Sequence, residues 1–182
     1  MSISTGAGDD GSTGLFYGGR VGKDATGPEA YGTVDETVSV LGVARAAAGG
    51  ELATELLGLQ RELFVVGAEL ATAPGNHHKL VDGVSRTTAA MVARLDVRLD
   101  ALTARGAPTE FIVPGGTVVA AAIDHARSVV RRAERRVVAH HRVHEITGSQ
   151  VVPYLNRLND LLYMLARTVE VEWTPSREDE PG

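Results

Sequence analysis

The sequence predicts an all-α fold, a bundle of about five helices behind a polar Gly-rich loop segment. Three observations predict it. Apolar residues recur at three- and four-residue steps in five separate stretches. The apolar load falls on Ala, Leu and Val, with aromatics at only 4%, which favours helix packing over a β-sandwich. Glycine and proline clusters punctuate the chain between those stretches. At 182 residues and 43% hydrophobic content, the chain suits one domain with a real core.

Residues 1–28 are rich in Gly, Asp, Ser and Thr and read as loop. A first helix is expected from about Glu29 to Ala48, through Val34, Val38 and Leu41, closed by Gly49-Gly50. A second runs from about Glu51 to Ala71, through Leu52, Leu56, Leu59, Leu63, Val66 and Leu70. After the break at "TAPGNHH", a third is expected from about Lys79 to Ala104, through Leu80, Val84, Met91, Leu95, Leu99 and Leu102. Pro114 and Gly115-Gly116 stop helical order after "EFIV", and Thr117 can cap a fourth helix reaching about His144. A fifth runs from about Gln150 to Arg167. The domain therefore spans residues 1–170, and residues 171–182 read as an acidic, disordered tail.

Composition excludes several classes. The chain has no cysteine, so disulfides and thiolate chemistry are ruled out. No apolar run approaches the ~20 residues of a membrane span, and the N-terminus lacks the pattern of a signal peptide. A cytoplasmic location is expected. A net charge of −5 gives the whole protein no attraction to nucleic acid.

Against that acidity, "RSVVRRAERRVV", from Arg127 to Val138, holds five arginines. On a helical wheel Val119, Ile123, Ala126, Val130, Ala133 and Val137 form the core stripe. Arg132 and Arg136 fall roughly opposite, toward solvent. Arg127, Arg131 and Glu134 meet at the shoulder of the stripe, where a guanidinium fork best grips carboxylate or phosphate. Two readings stay open from geometry: a salt-bridged flank with Glu134 on Arg131, or an anion site for a polyphosphate. A second unusual stretch, "TGAGDDGSTGLFYGGRVGKD", supplies Gly8, Gly11 and Gly14 for close backbone approach, hydroxyls at Ser12 and Thr13, and a cation at Lys23. It is neither a Walker A loop nor a dinucleotide fingerprint. Together, loop and arginine shoulder favour a nucleotide site built from two distant segments. His140 and His144 share a helix face at i, i+4 but lack a further ligand nearby, so "HHRVH" reads as a solvated helix end.

Four blocks, in this order, carry a family resemblance: "GDDGSTGL", "RVGKD" with "EAYGTVDE", "FIVPGGT" with "HARSVVRRAERRVV", and "YLNRLNDLLYMLAR". The chain resembles the PduO-type ATP:cob(I)alamin adenosyltransferases. The resemblance implies a homotrimer of ferritin-like five-helix bundles with active sites between subunits, using ATP, Mg²⁺ and cobalamin as substrate. It implies that Thr5, Gly8, Asp9, Gly11, Ser12, Thr13 and Lys23 cradle the triphosphate, and that Arg131 grips phosphate from the neighbouring subunit. Glu134 and Asn156 are implied to fix the nucleotide or its Mg²⁺ shell, with no dedicated metal site. Arg127 is implied to pair with Asp35 across the subunit boundary, and Phe111 to crowd the lower face of the corrin ring. In the implied reaction Co(I) attacks the ribose C5′ of ATP and expels triphosphate, which calls for positioning and cations rather than a general base. An adenosylcobalamin-dependent client enzyme and a reductase are implied partners. The chain departs from the family pattern at Ser4, Gly6, Ala7 and Gly22. Those changes motivate an alternative, a weakly catalytic or non-catalytic carrier of adenosylcobalamin or ATP.

Overall fold

The computed structural model describes residues 4–177. Among them are a two-stranded antiparallel hairpin, β1 (Ser12–Gly14) and β2 (Arg20–Gly22), and five α-helices. These are α1 (Thr26–Ala47), α2 (Gly50–Leu70), α3 (Ala89–Thr103), α4 (Val118–Val143) and α5 (Val151–Arg167), with a 3₁₀ turn at Pro74–Lys79. The hairpin corrects the expectation of loop throughout residues 1–28. Its three-residue strands alternate too briefly to show a period of two.

Four helices begin and end within about three residues of expectation. α1 starts early because Pro28 lies in its first turn, where the missing N–H is no loss. Thr117 caps α4 as expected, its side chain accepting from the Ala120 N–H at 3.0 Å. The third helix is the correction, starting at Ala89 rather than Lys79. Residues 81–86 instead form a turn in which the N–H groups of Val84, Ser85 and Arg86 all converge on the Val81 carbonyl. Gly83 takes φ +72° there, and the Ser85 hydroxyl accepts from the Val81 N–H. Leu80 is buried as the helical spacing implied, but Val84 is 69% exposed. Thr88 then caps α3 through the Met91 N–H.

The core is one aliphatic cluster drawn from all five helices, including Leu41, Leu63, Ile123, Val130, Leu158 and Leu162. α1 packs on α2 and α4, and α5 lies between α4 and α3. Ion pairs tie α3 to α2: Arg98 grips Glu55 through both carboxylate oxygens at 2.7 and 2.8 Å, and Arg94 pairs with Glu62. The outward arginines of α4 are not simply solvated. Arg132 pairs with Glu36, and Arg136 with Glu29 at 2.9 Å, both on α1. Of the tail beyond residue 170, Thr174 to Ser176 pair through backbone with Phe111 to Val113, and Trp173 Nε1 donates to the Arg167 carbonyl. Residues 178–182 lie outside the described residues.

His140 corrects the reading of "HHRVH" as a solvated end. It is 5% exposed, and its Nδ1 lies 3.0 Å from Thr26 Oγ1 at the start of α1. Burial first, then neighbouring His144, His141 and His77, lowers its pKa to about 4. The unfolded chain, with a histidine pKa near 6.5, therefore binds the proton more readily. Stability from this group is full above about pH 6.5 and is lost as pH falls toward 4. The limit is about 3 kcal/mol. Thermal midpoints measured from pH 7.5 to 5 are expected to fall, with a shallower slope in His140→Gln. Equal slopes would refute the assignment.

Candidate functional site

A cavity of about 1000 Å³ opens between α3, α4, α5 and the segment 108–112. Phe111, Arg127 and Arg131 line it, so the structure brings three of the expected site residues together. The Phe111 backbone is held on one face, where its carbonyl accepts from the Ser176 N–H at 2.7 Å and the Val113 N–H donates to Thr174 at 2.8 Å. Its ring is nonetheless 85% exposed. A large aromatic ring held out at the mouth of a cavity is suited to an apolar ligand face.

Beneath the cavity lies a charge network that the sequence reading missed. Asp124, on the buried side of α4, accepts from Arg127 Nε at 3.2 Å and from Arg167 Nη2. Arg167 Nε lies 2.9 Å from Glu170 Oε2, without the alignment of a hydrogen bond, so that attraction is coulombic. Glu170 Oε1 accepts from the Gly116 N–H at 3.2 Å, tying the Phe111–Thr117 segment to the chain just beyond α5. The Tyr163 ring receives the Arg167 and Arg127 guanidiniums at 5.2 and 5.8 Å. Side-chain exposures of 1% to 4% for Arg167, Glu170 and Asp124 mean these charges hold one another in low dielectric. On the wheel Asp124 falls beside Arg127 and outside the core stripe, so no local signal marked it as buried.

Arg131 is exposed and its side chain has no ion pair among the described residues. Glu134, the candidate partner, instead faces Asn156, whose Nδ2 donates to Glu134 Oε1 at 3.4 Å. Asn156 Oδ1 accepts from Arg157, which also binds Asp96 on α3. The salt-bridged-flank reading therefore fails for Arg131, which is left as a cation beside a cavity.

The N-terminal loop is folded through residues the sequence reading did not assign. Asp10 accepts from both the N–H and the hydroxyl of Ser12, at 2.9 and 2.7 Å. Those bonds, with Arg20 nearby, hold its carboxyl below the usual pKa. Arg20 donates to the Ala7 carbonyl at 2.6 Å and to Ser12 Oγ. The Ser12 hydroxyl is thus already engaged within the loop. Burial raises the pKa of the Tyr31 hydroxyl, and the Thr13 side chain opposes that rise. Lys23 Nζ sits above Gly8, where an added Cβ would lie 3.0 Å from that nitrogen and 3.1 Å from the Ser12 carbonyl. Gly8→Ala is therefore expected to displace the ammonium and, if Lys23 holds phosphate as the resemblance implies, to weaken ATP binding about tenfold, the cost of one charge-assisted bond. Titration with ATP checks this, and unchanged affinity would remove Lys23 from the phosphate site.

In the single chain the loop contributes no residue to the cavity. None of Thr5, Gly8, Asp9, Gly11, Ser12, Thr13 and Lys23 lines the cavity of Arg131. Asp35 and Arg127 likewise form no ion pair among the described residues and line different hollows. It lines a groove of about 420 Å³ between α1 and α2 with Phe16, Tyr31 and the 63%-exposed Phe64.

A helical bundle with a cationic helix wall, an aromatic-rimmed cavity and a folded glycine loop defines a binder of an anion and a large, partly apolar ligand. Comparison with known proteins makes this specific. The family model described as cobalamin adenosyltransferase matches residues 3–169. The chain is 42% identical over 176 residues to a corrinoid adenosyltransferase of Bacillus subtilis, covering 93% of this chain and 86% of that protein. It is 38% identical over 170 residues to one of Citrobacter freundii, covering 92% and 94%. A variant PduO-type ATP:corrinoid adenosyltransferase from Lactobacillus reuteri, solved with cobalamin and ATP, superposes with a TM-score of 0.87 at 29% identity, over 97% of this chain and all of that one. The chain belongs to the cobalamin adenosyltransferase family.

Proposed function

We propose that this protein is an ATP:corrinoid adenosyltransferase, transferring the 5′-deoxyadenosyl group of ATP to Co(I) of a corrinoid and releasing triphosphate. We further propose that it works as a homotrimer with each active site shared by two subunits. The observation that supports the shared site is that no residue of the phosphate loop lines the Arg131 cavity within one chain. The apolar groove beside Asp35 supports the same reading, since Phe16 and Phe64 leave it as surface that a neighbour can cover. Asp35 there meets Arg127 of the adjacent subunit.

The reaction is a substitution. The cobalt electron pair forms the Co–C5′ bond as the C5′–O5′ bond breaks, and triphosphate departs with the electrons of the C5′–O5′ bond. The chain need supply no base. It supplies cations and backbone N–H groups for the leaving anion, with Lys23 and the Gly8–Thr13 loop from one subunit and Arg131 from the next. Phe111 supplies the wall that keeps water and the lower axial ligand from cobalt. Among the described residues no three His, Asp or Glu side chains converge as a metal cage. A Mg²⁺ brought by triphosphate keeps most of its waters and needs few protein carboxylates, and Glu134 fits that role. The carrier alternative has weak support: the Gly6–Ala7 segment is not frayed, since the Gly6 and Ala7 carbonyls accept from Asp9 and Arg20.

The test mixes protein, ATP, Mg²⁺ and chemically reduced cobalamin and follows the corrin spectrum. Adenosylcobalamin with equimolar triphosphate is expected, from a particle with the mass of three 19.2 kDa chains. A flat trace with Co(I) verified present would defeat the reading.

A further inference from the structure

The reaction gives His140 no part, yet its side chain meets the backbone where the phosphate loop ends. It lies in the last turn of α4 and is 5% exposed. Its Nδ1 stands 3.0 Å from the hydroxyl of Thr26, the first residue of α1. Either neutral tautomer makes that bond, because a hydroxyl can donate or accept. The ring also covers Gly27, which is buried; a Cβ added there would stand 3.4 Å from His140 Cε1. The His144 ring backs it, 4.6 Å away between centroids.

The start of α1 needs such a fixture. Its N-cap residue is Ala25, so no side chain caps the helix. The chain before it is tight. The Ala25 N–H closes a turn on the Gly22 carbonyl at 3.1 Å, and the Lys23 N–H donates to the Gly11 carbonyl at 2.9 Å. Lys23 is only three residues from Thr26, so a shift of Thr26 moves the ammonium that faces Gly8. The tip of the hairpin is held independently. There the Phe16 N–H donates to the Ala71 carbonyl at 2.9 Å, and Asn76 Nδ2 donates to the Tyr17 carbonyl at 3.3 Å. Tyr17 takes φ +61°, a conformation that a bulky residue keeps only where its surroundings impose it. The loop is thus braced at its tip by the end of α2 and the 3₁₀ turn, and at its base by α4 through His140.

We propose that His140 is a positioning residue for ATP, holding the base of the phosphate loop through Thr26 and thereby setting Lys23 in place for the triphosphate. This rests on the functional reading above, in which that loop receives the triphosphate. His140 acts through Thr26 and not on the substrate. A loop ordered beforehand leaves ATP little ordering cost to bear on binding. With the base released, ATP must order the loop as it binds, which weakens ATP and spares the chemical step once the site is full.

The experiment is a double-mutant cycle on Thr26→Val and His140→Leu, read by ATP titration and by steady-state kinetics. Each single change is expected to raise the Kd and KM for ATP about two- to tenfold, the equivalent of one net hydrogen bond. The kcat at saturating ATP and the KM for corrinoid should stay at wild-type values. The double variant should bind ATP no more weakly than the weaker of the two single variants, since both changes cut the same contact. Thr26→Ser keeps the hydroxyl, and His140→Asn keeps a polar atom near the place of Nδ1; both should bind ATP nearly as wild type does. A contact that only stabilises the fold would lower Tm in the Thr26→Val and His140→Leu variants and leave their affinity for ATP unchanged. That result, or losses that add in the double variant, overturns the positioning role while wild type still binds ATP. Wild type that binds no ATP defeats the functional reading itself, and the proposal falls with it.

Discussion

Arg131→Ala is expected to lower kcat/KM for ATP by about 10²- to 10³-fold while leaving the fold intact. The side chain is exposed and has no ion pair among the described residues, so its removal breaks nothing that holds α4. Surface changes of that kind stay within about 0.5 kcal/mol of wild-type stability. The cost falls instead on the transition state, where charge accumulates on the departing triphosphate. Loss of one preorganised donor to such an anion is worth roughly two to three powers of ten. Arg131→Lys should recover only part, since an ammonium keeps the charge but not the planar fork. A fall in kcat with little change in the KM for ATP would place the interaction in the transition state; a rise in KM alone would make it ground-state binding. Wild-type kcat/KM in Arg131→Ala would sink the assignment. Because Arg131 and the phosphate loop belong to different subunits in the proposed assembly, mixing Arg131→Ala with Gly8→Ala chains should restore some wild-type sites. Recovery of activity on mixing is a direct reading of the shared site.

What the sequence disclosed and what it hid divide along physical lines. The helices were legible because Leu, Val and Ala at three- and four-residue steps report a buried face, and Thr117 reports a cap. The third helix was overread because Leu80 and Val84 fit the step by accident, while Gly83, Ser85 and Thr88 carried the turn and cap chemistry that won. The shoulder of Arg127 and Arg131 was legible from the wheel, but its partners were not. Glu134 looked like the ion pair of Arg131 at i+3, and the structure gives it to Asn156, 22 residues away on α5. His140 looked solvated because its spacing from the helix end said nothing of Thr26, which is 114 residues away. Long-range polar partners are set by packing, and no local pattern encodes them. The Asp124–Arg167 pair, 43 residues apart in the chain, belongs to the same class.

The buried trio of Asp124, Arg167 and Glu170 sets the second large expectation. Arg167→Ala should cost about 3–5 kcal/mol, the penalty for stripping one partner from a buried charge network. For a chain of this size that is a fall in Tm of very roughly 6–20 °C. The asymmetry within the network makes the prediction sharper. Removing Arg167 leaves Asp124 with Arg127 at 3.2 Å, but it leaves Glu170 facing only the Gly116 N–H. Removing Asp124 leaves Arg167 its attraction to Glu170 at 2.9 Å. Arg167→Ala should therefore be the more damaging single change, and the double change with Asp124→Ala should cost less than the sum of the two. The consequence reaches the site, because Glu170 tethers Gly116 and thereby the segment that carries Phe111. Below its melting temperature, Arg167→Ala should bind corrinoid more weakly while its affinity for ATP at the N-terminal loop is kept. Differential scanning calorimetry and corrinoid titration of the two single variants and the double variant decide it. Additive costs, or a Tm unchanged by Arg167→Ala, would mean the network does not act as a unit.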